Sequence, residues 1–137
     1  MMDCLFCKII RGEIDSQKIY EDDHVFVMLD ASPISKGHTL VLPKKHASNI
    51  LELENREIEP FFMAVKKITK KLEEALSPDG FTHGINHKVG QAIDHLHFHI
   101  IPRWKDDGGG SLHNVVSNSP EESLEEIKEI ILKKLDY

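Results

Sequence analysis

The stretch His95-Leu96-His97-Phe98-His99-Ile100-Ile101 alternates imidazole and hydrocarbon without a break. Side chains of a β-strand point alternately to opposite faces. The pattern therefore predicts a strand with His95, His97 and His99 on one face and Leu96, Phe98 and Ile100 on the other. The apolar set must meet a core or a helix. The polar set lines up three imidazoles, with neighbours roughly 6.5–7 Å apart at strand rise. Imidazole is the commonest metal ligand and also a nucleophile and proton carrier near neutral pH. A metal centre and a reaction centre both fit these residues. Asp94, the nearest acid, points to the opposite face. Gly90-Gln91 upstream, Arg103 downstream and Lys44-Lys45 at the end of an earlier β-type run add anion-binding features, which favours chemistry at a phosphate.

The rest of the chain reads as one domain over residues 1–137, without repeats or a dividing linker. Further β-type runs cover Lys18–Tyr20, His24–Asp30, His38–Pro43 and Phe81–Asn86. Between them, Ile58, Phe61, Phe62, Val65, Ile68, Leu72 and Leu76 follow helical spacing over Glu57–Leu76. Pro78-Asp-Gly80 is read as its stop. Ser119-Pro120 with Glu122 has the form of a helix cap ahead of the stripe Leu124, Ile127, Ile131 and Leu135. These features predict an α+β fold: an antiparallel sheet of about five strands, one long central helix and a C-terminal helix. The expected core spans about 3–104, followed by a mobile glycine-rich loop at 105–118 and a helix over 119–137.

Charge and hydropathy narrow the partners. Seventeen basic against 23 acidic residues give a net charge of −6, which argues against duplex nucleic-acid binding. No run approaches the ~20 apolar residues of a membrane span, and the opening MMDCLFC lacks the form of a secretory signal. A cytoplasmic location is expected, where Cys4 and Cys7 stay reduced and their C-x-x-C spacing suggests half of a metal site.

The triad followed by Pro102-Arg103 is accompanied, in order, by Cys4-Leu-Phe-Cys7-Lys-Ile-Ile, Tyr20-Glu-Asp-Asp, Leu29-Asp30, Pro33, Gly37-His38-Thr-Leu-Val and Pro43-Lys-Lys-His46. These blocks, from about Asp3 to Trp104, resemble the bacterial and archaeal members of the histidine triad (HIT) family. The resemblance implies a homodimeric enzyme that binds a purine nucleotide and cleaves the bond between its α-phosphorus and a leaving group. It makes His97 the nucleophile and gives His99 a non-bridging phosphoryl oxygen. It places Asp30 on the ribose hydroxyls, His38 near the phosphate, and Asn86, Gly90 and Gln91 on the phosphate and leaving-group side. Cys4, Cys7, His46 and His95 correspond to a structural zinc site, with no catalytic metal. His24, His83, His87 and His113 fall outside the blocks and are read as surface or loop residues.

The family run Asn-x-Gly-x-x-x-Gly-Gln is shortened here to Asn86-His-Lys-Val-Gly90-Gln91, and Ala92 stands where many members carry a hydroxyl. A nucleoside 5′-phosphoramidate hydrolase is the favoured reading. The alternatives are a dinucleoside polyphosphate hydrolase, a zinc-bearing nucleotide-binding module, and a metalloenzyme using all three triad histidines as ligands.

Overall fold

The computed structural model describes residues 3–135. Helix α1 (Leu5–Ile10) leads into strands β1 (Lys18–Glu21), β2 (Val25–Leu29) and β3 (Thr39–Pro43), then helix α2 (Asn55–Leu76), β4 (Gly80–Gly84), β5 (Phe98–Arg103) and helix α3 (Leu124–Leu132). The strands form one antiparallel sheet in the order β1-β2-β3-β5-β4. The expected α+β architecture is therefore the observed one.

Both faces of the sheet are covered. On one, Val25, Val27, Val41, Leu96, Phe98 and Ile100 pack against Phe61, Val65, Ile68 and Leu72 of α2. On the other, Phe26, Met28, Leu40 and Leu42 pack against Phe6 and Ile9 of α1. Each large side chain so buried contributes about 1.5–3 kcal/mol. This explains why β2 and β3 lack a polar face.

Several boundaries differ from expectation. Regular strand geometry begins at Phe98 rather than His95, because His95 lies in a bend. Its backbone is occupied elsewhere, since Leu96 N–H donates to the Ala47 carbonyl at 2.7 Å. Helix α2 starts at Asn55, so Pro60 falls within its second turn, and the helix ends on Ser77 with φ +50°. The C-terminal helix is capped by Ser123, whose hydroxyl accepts the Glu126 N–H, and not by Ser119. No residue of α3 is buried, so its apolar stripe faces away from the core. Arg103 ties down the start of the glycine-rich segment through Asp107, Thr82 and the Gly110 carbonyl.

Gly37 has φ +86°, and a Cβ there would lie 2.4 Å from Leu76 Cδ1 and 3.3 Å from Pro102 Cγ. Gly37→Ala combines left-handed strain with overpacking, and is expected to lower the unfolding free energy by about 2 kcal/mol or more. Urea denaturation measures it; a loss below about 0.5 kcal/mol would show that the turn relaxes freely.

Candidate active site and metal centre

The register sets Leu40 opposite His99 and Val41 opposite Phe98. His99 therefore lies on the sheet face that α1 covers. His95 and His97 are buried, and Phe6 of α1 stands edge-on to both rings, with centroids at 6.0 and 5.1 Å. The histidine face is thus an interior surface, closed by a helix the sequence reading did not anticipate. The spacing Phe6, Ile9, Ile10 was the available signal, but six residues are too few to establish a period.

Hydrogen bonds assign the protons. A carbonyl can only accept, so the 2.7 Å contact between His97 Nδ1 and the His95 carbonyl puts a proton on Nδ1. In the neutral ring Nε2 then carries a lone pair with no hydrogen-bond partner among the described residues. His95 Nε2 meets the Pro43 carbonyl at 2.8 Å, which leaves its Nδ1 as the bare nitrogen. His38 Nδ1 accepts the Ile34 N–H at 3.3 Å, so its Nε2 holds the proton and donates to His99 Nδ1 at 2.9 Å. By elimination His99 carries its proton on Nε2. That atom is buried and has no protein partner among the described residues.

Burial favours the neutral forms of His38 and His99. It lowers the pKa of His38, against a smaller opposing effect of Asp30. Burial, reinforced by His97 and His38, pushes His99 from 6.5 down to about 4. A histidine depressed on folding adds stability that is complete above its unfolded pKa and is lost as pH falls toward its folded one. For His99 that window runs from pH 6.5 to about 4, with an expected loss of roughly 2–3 kcal/mol. Urea denaturation across this window should give a shallower slope in His99→Asn than in the wild type. Parallel curves would refute the assignment.

Cys4, Cys7, His46 and His95 each offer one ligand atom, and the four atoms lie within 4.8 Å of one another. The bare His95 Nδ1 faces Cys4 Sγ at 3.4 Å and Cys7 Sγ at 3.5 Å, while His46 Nδ1 faces Cys7 Sγ at 3.3 Å. A tetrahedral zinc with ordinary Zn–S and Zn–N bonds has S···N edges of about 3.6 Å. The donor set, the spacing and the orientation of His95 all fit that ion. Burial, then Cys4, pushes the Cys7 thiol up to about 11; a bound cation reverses such a preference.

Asp30, His38 and His99 also bring three ligand atoms together. Here the proton on His38 Nε2 occupies the point of convergence, with Asp30 Oδ2 at 3.5 Å. His38 and His99 are thus joined by a hydrogen bond, with the Asp30 carboxylate beside it.

Other expected site residues are placed differently. Gln91 spends its amide within the protein, accepting from Lys88 N–H at 3.0 Å and donating to the Ser48 carbonyl at 2.7 Å. Asn86 lies beneath Gly90, whose φ is +78°. None of the three bonds to the histidine chain among the described residues. The cations expected to frame a phosphate pair with carboxylates instead: Lys44 with Glu21, Lys45 with Glu54 and Arg103 with Asp107. His83, read as a surface residue, sits half-buried on β4 and donates to Thr69 Oγ1 of α2 at 3.0 Å. A cavity of about 510 Å³ adjoins the cysteine–histidine cluster, lined by Asp3, Cys4, Leu5, His46, Ala92, Ile93 and Asp94; neither His97 nor His99 lines it.

The HIT domain family matches residues 11–106. The chain belongs to the HIT family. The crystal structure of a HIT family member from Bacillus subtilis superposes with a TM-score of 0.85 at 40% identity, covering 98% of this chain and 99% of that one. A Zn-bound histidine triad family protein from Mycobacterium smegmatis gives a TM-score of 0.73 at 32% identity, over 78% and 79% of the two chains. The adenosine 5′-monophosphoramidase of Candida albicans is 38% identical over 113 residues, 78% of this HIT chain and 74% of the relative.

Proposed function

We propose that this HIT protein is a hydrolase of nucleoside 5′-phosphoramidates, acting through a nucleotidyl-His97 intermediate. The observation that carries the reading is the proton assignment at the triad. His97 offers a lone pair on Nε2, and neighbouring His99 offers an unpartnered N–H. The name of the Candida albicans relative supports the phosphoramidate as substrate class.

His97 Nε2 attacks the α-phosphorus, the P–N bond to the leaving amine breaks, and the amine departs with a proton taken from solvent. The nucleotidyl-imidazolium keeps its Nδ1–H on the His95 carbonyl, which stabilises the new positive charge. Water then attacks phosphorus and loses a proton to solvent as the P–Nε2 bond breaks, which releases the nucleoside monophosphate and returns His97 to its neutral form. Throughout, His99 Nε2–H is aimed at the negative charge spreading over the phosphoryl oxygens. Asp30 binds the ribose, and Asn86 and Gly90 flank the leaving group through backbone and amide groups. Gln91 shapes their loop. The substrate is a purine nucleotide, the protein acts as a cytoplasmic homodimer, and Cys4, Cys7, His46 and His95 hold a structural zinc. Bound there, a zinc would hold α1 to the His95 bend.

The test is the initial rate of nucleotide release from adenosine 5′-phosphoramidate and from diadenosine tetraphosphate, with EDTA present and His97→Ala as control. Faster cleavage of the phosphoramidate, lost in the variant, is expected. Preference for the dinucleotide would transfer the reading to polyphosphate hydrolysis. Silence on both with nucleotide still bound would make the protein a binding module.

A further inference from the structure

Beyond His38, on the side away from His97, the hydrogen-bond chain ends in a turn that the chemistry above does not use. Ser35, Lys36, Gly37 and His38 form it: the His38 N–H donates to the Ser35 carbonyl at 3.1 Å. Gly37 at φ +86° supplies the positive φ that a type II turn demands at its third position. Asp30 N–H closes the base of the loop on the His38 carbonyl at 2.9 Å. Thr39 Oγ–H braces the Gly37 carbonyl at 2.7 Å, and Ser35 Oγ–H ties the turn to the neighbouring strand, donating at 2.7 Å to the Pro102 carbonyl in the strand that carries His99.

We propose that Ser35 is a positioning residue whose bond to Pro102 holds the Ile34 amide against His38 Nδ1, and so keeps the protons of both His38 and His99 on Nε2. The inference rests on the reading of His99 as a donor to the phosphoryl group. The two tautomers of imidazole are close in energy, so a backbone donor worth about 1 kcal/mol shifts the balance between them, in the same direction as the Asp30 carboxylate 3.5 Å from Nε2. The Ile34–His38 contact is 3.3 Å, near the long limit of a hydrogen bond. A shift of a few tenths of an ångström removes it. With that donor gone, His38 can carry its proton on Nδ1 and turn a lone pair toward His99. His99 must then protonate Nδ1 and present a lone pair to the substrate. An attractive contact with a phosphoryl oxygen becomes a repulsive one. Ser35 touches no reacting atom in this scheme, and its hydroxyl is already satisfied by Pro102.

Two-dimensional ¹H–¹⁵N spectra of the histidine rings, recorded on the full chain without nucleotide, read the tautomers directly. Both His38 and His99 are expected as Nε2–H in the wild type and as tautomer mixtures in Ser35→Ala. Ser35→Thr should restore the wild-type pattern. Ile34→Pro deletes the amide donor itself and should reproduce the mixture; the Ile34 side chain is 75% exposed, so little packing is lost. On adenosine 5′-phosphoramidate, kcat of Ser35→Ala is expected to fall about tenfold with KM within about twofold. Unchanged tautomers in Ser35→Ala and Ile34→Pro would overturn the proposal, whatever the rates. Shifted tautomers with unchanged kcat would overturn it as well. Shifted tautomers in a protein inert toward phosphoramidates would uphold Ser35 as the positioning residue and overturn the substrate reading instead.

Discussion

His97→Ala is expected to lower turnover of a nucleoside 5′-phosphoramidate by about four orders of magnitude. Nucleotide affinity should change only a few-fold. The size of the effect follows from the absence of a substitute nucleophile among the neighbouring rings. His99 receives a proton at Nδ1 from His38 and bears its own on Nε2, so no lone pair of its ring is free. The lone pair of His95 faces the two cysteine sulfurs. Among the three triad rings, only His97 has a bare nitrogen that does not face the cysteines, in a ring whose centroid lies 5.0 Å from that of His99. Affinity should survive because the contacts proposed for ribose and phosphate come from Asp30 and His99, which the substitution leaves in place. His99→Ala should cost less, about 10²–10³ in kcat, the usual effect of deleting one donor to a developing oxyanion. Single-turnover kinetics separates the steps, because the wild type should accumulate an acid-labile nucleotidyl-protein that His97→Ala cannot form. A variant within tenfold of the wild type would remove His97 from the reaction.

The alternation of the histidine run was more legible in the sequence than what surrounds it. A period of two placed Phe98 and Ile100 against α2 and kept His99 on the other face, as the structure has it. The same alternation said nothing about what covers the histidines. That face is closed by α1, whose three spaced apolar residues are too short a signal. Tautomers were equally hidden, because they depend on carbonyls brought close by the fold, such as Pro43, 52 residues from His95. The charged residues misled for a related reason. Lys44, Lys45 and Arg103 stand near the motifs in sequence, but the carboxylates that pair with them are chosen in three dimensions. At the C-terminus two serines precede glutamates at capping distance, and Ser123 rather than Ser119 begins the helix. The four residues that could hold a metal come from a helix cap, a helix, a loop after β3 and the bend before β5. Composition could not join them, yet the structure brings all four within 4.8 Å.

Removing the metal proposed for that cluster is expected to lower the melting temperature by about 10 °C or more, the equivalent of several kcal/mol for a domain of this size. Mass spectrometry should find one zinc per chain, and none in Cys4→Ser/Cys7→Ser. Without a cation, the buried His95 Nδ1 has only weak thiol donors for its lone pair. Cys4 is also the cap of α1, its sulfur accepting the Cys7 N–H at 3.3 Å, so the loss reaches that helix directly. Because α1 carries Phe6 onto the His97 ring, loosening it widens the motion of the nucleophile. The His97–His95 carbonyl bond, however, needs no metal ligand side chain. The rate constant per folded molecule at 25 °C should therefore fall by less than about tenfold, while thermal stability falls steeply. If chelation left the melting temperature within about 2 °C, the cluster would not hold α1 to the sheet. If it abolished turnover of a protein that stayed folded, the ion would belong to the reaction, and the role given to a neutral His97 would have to be abandoned.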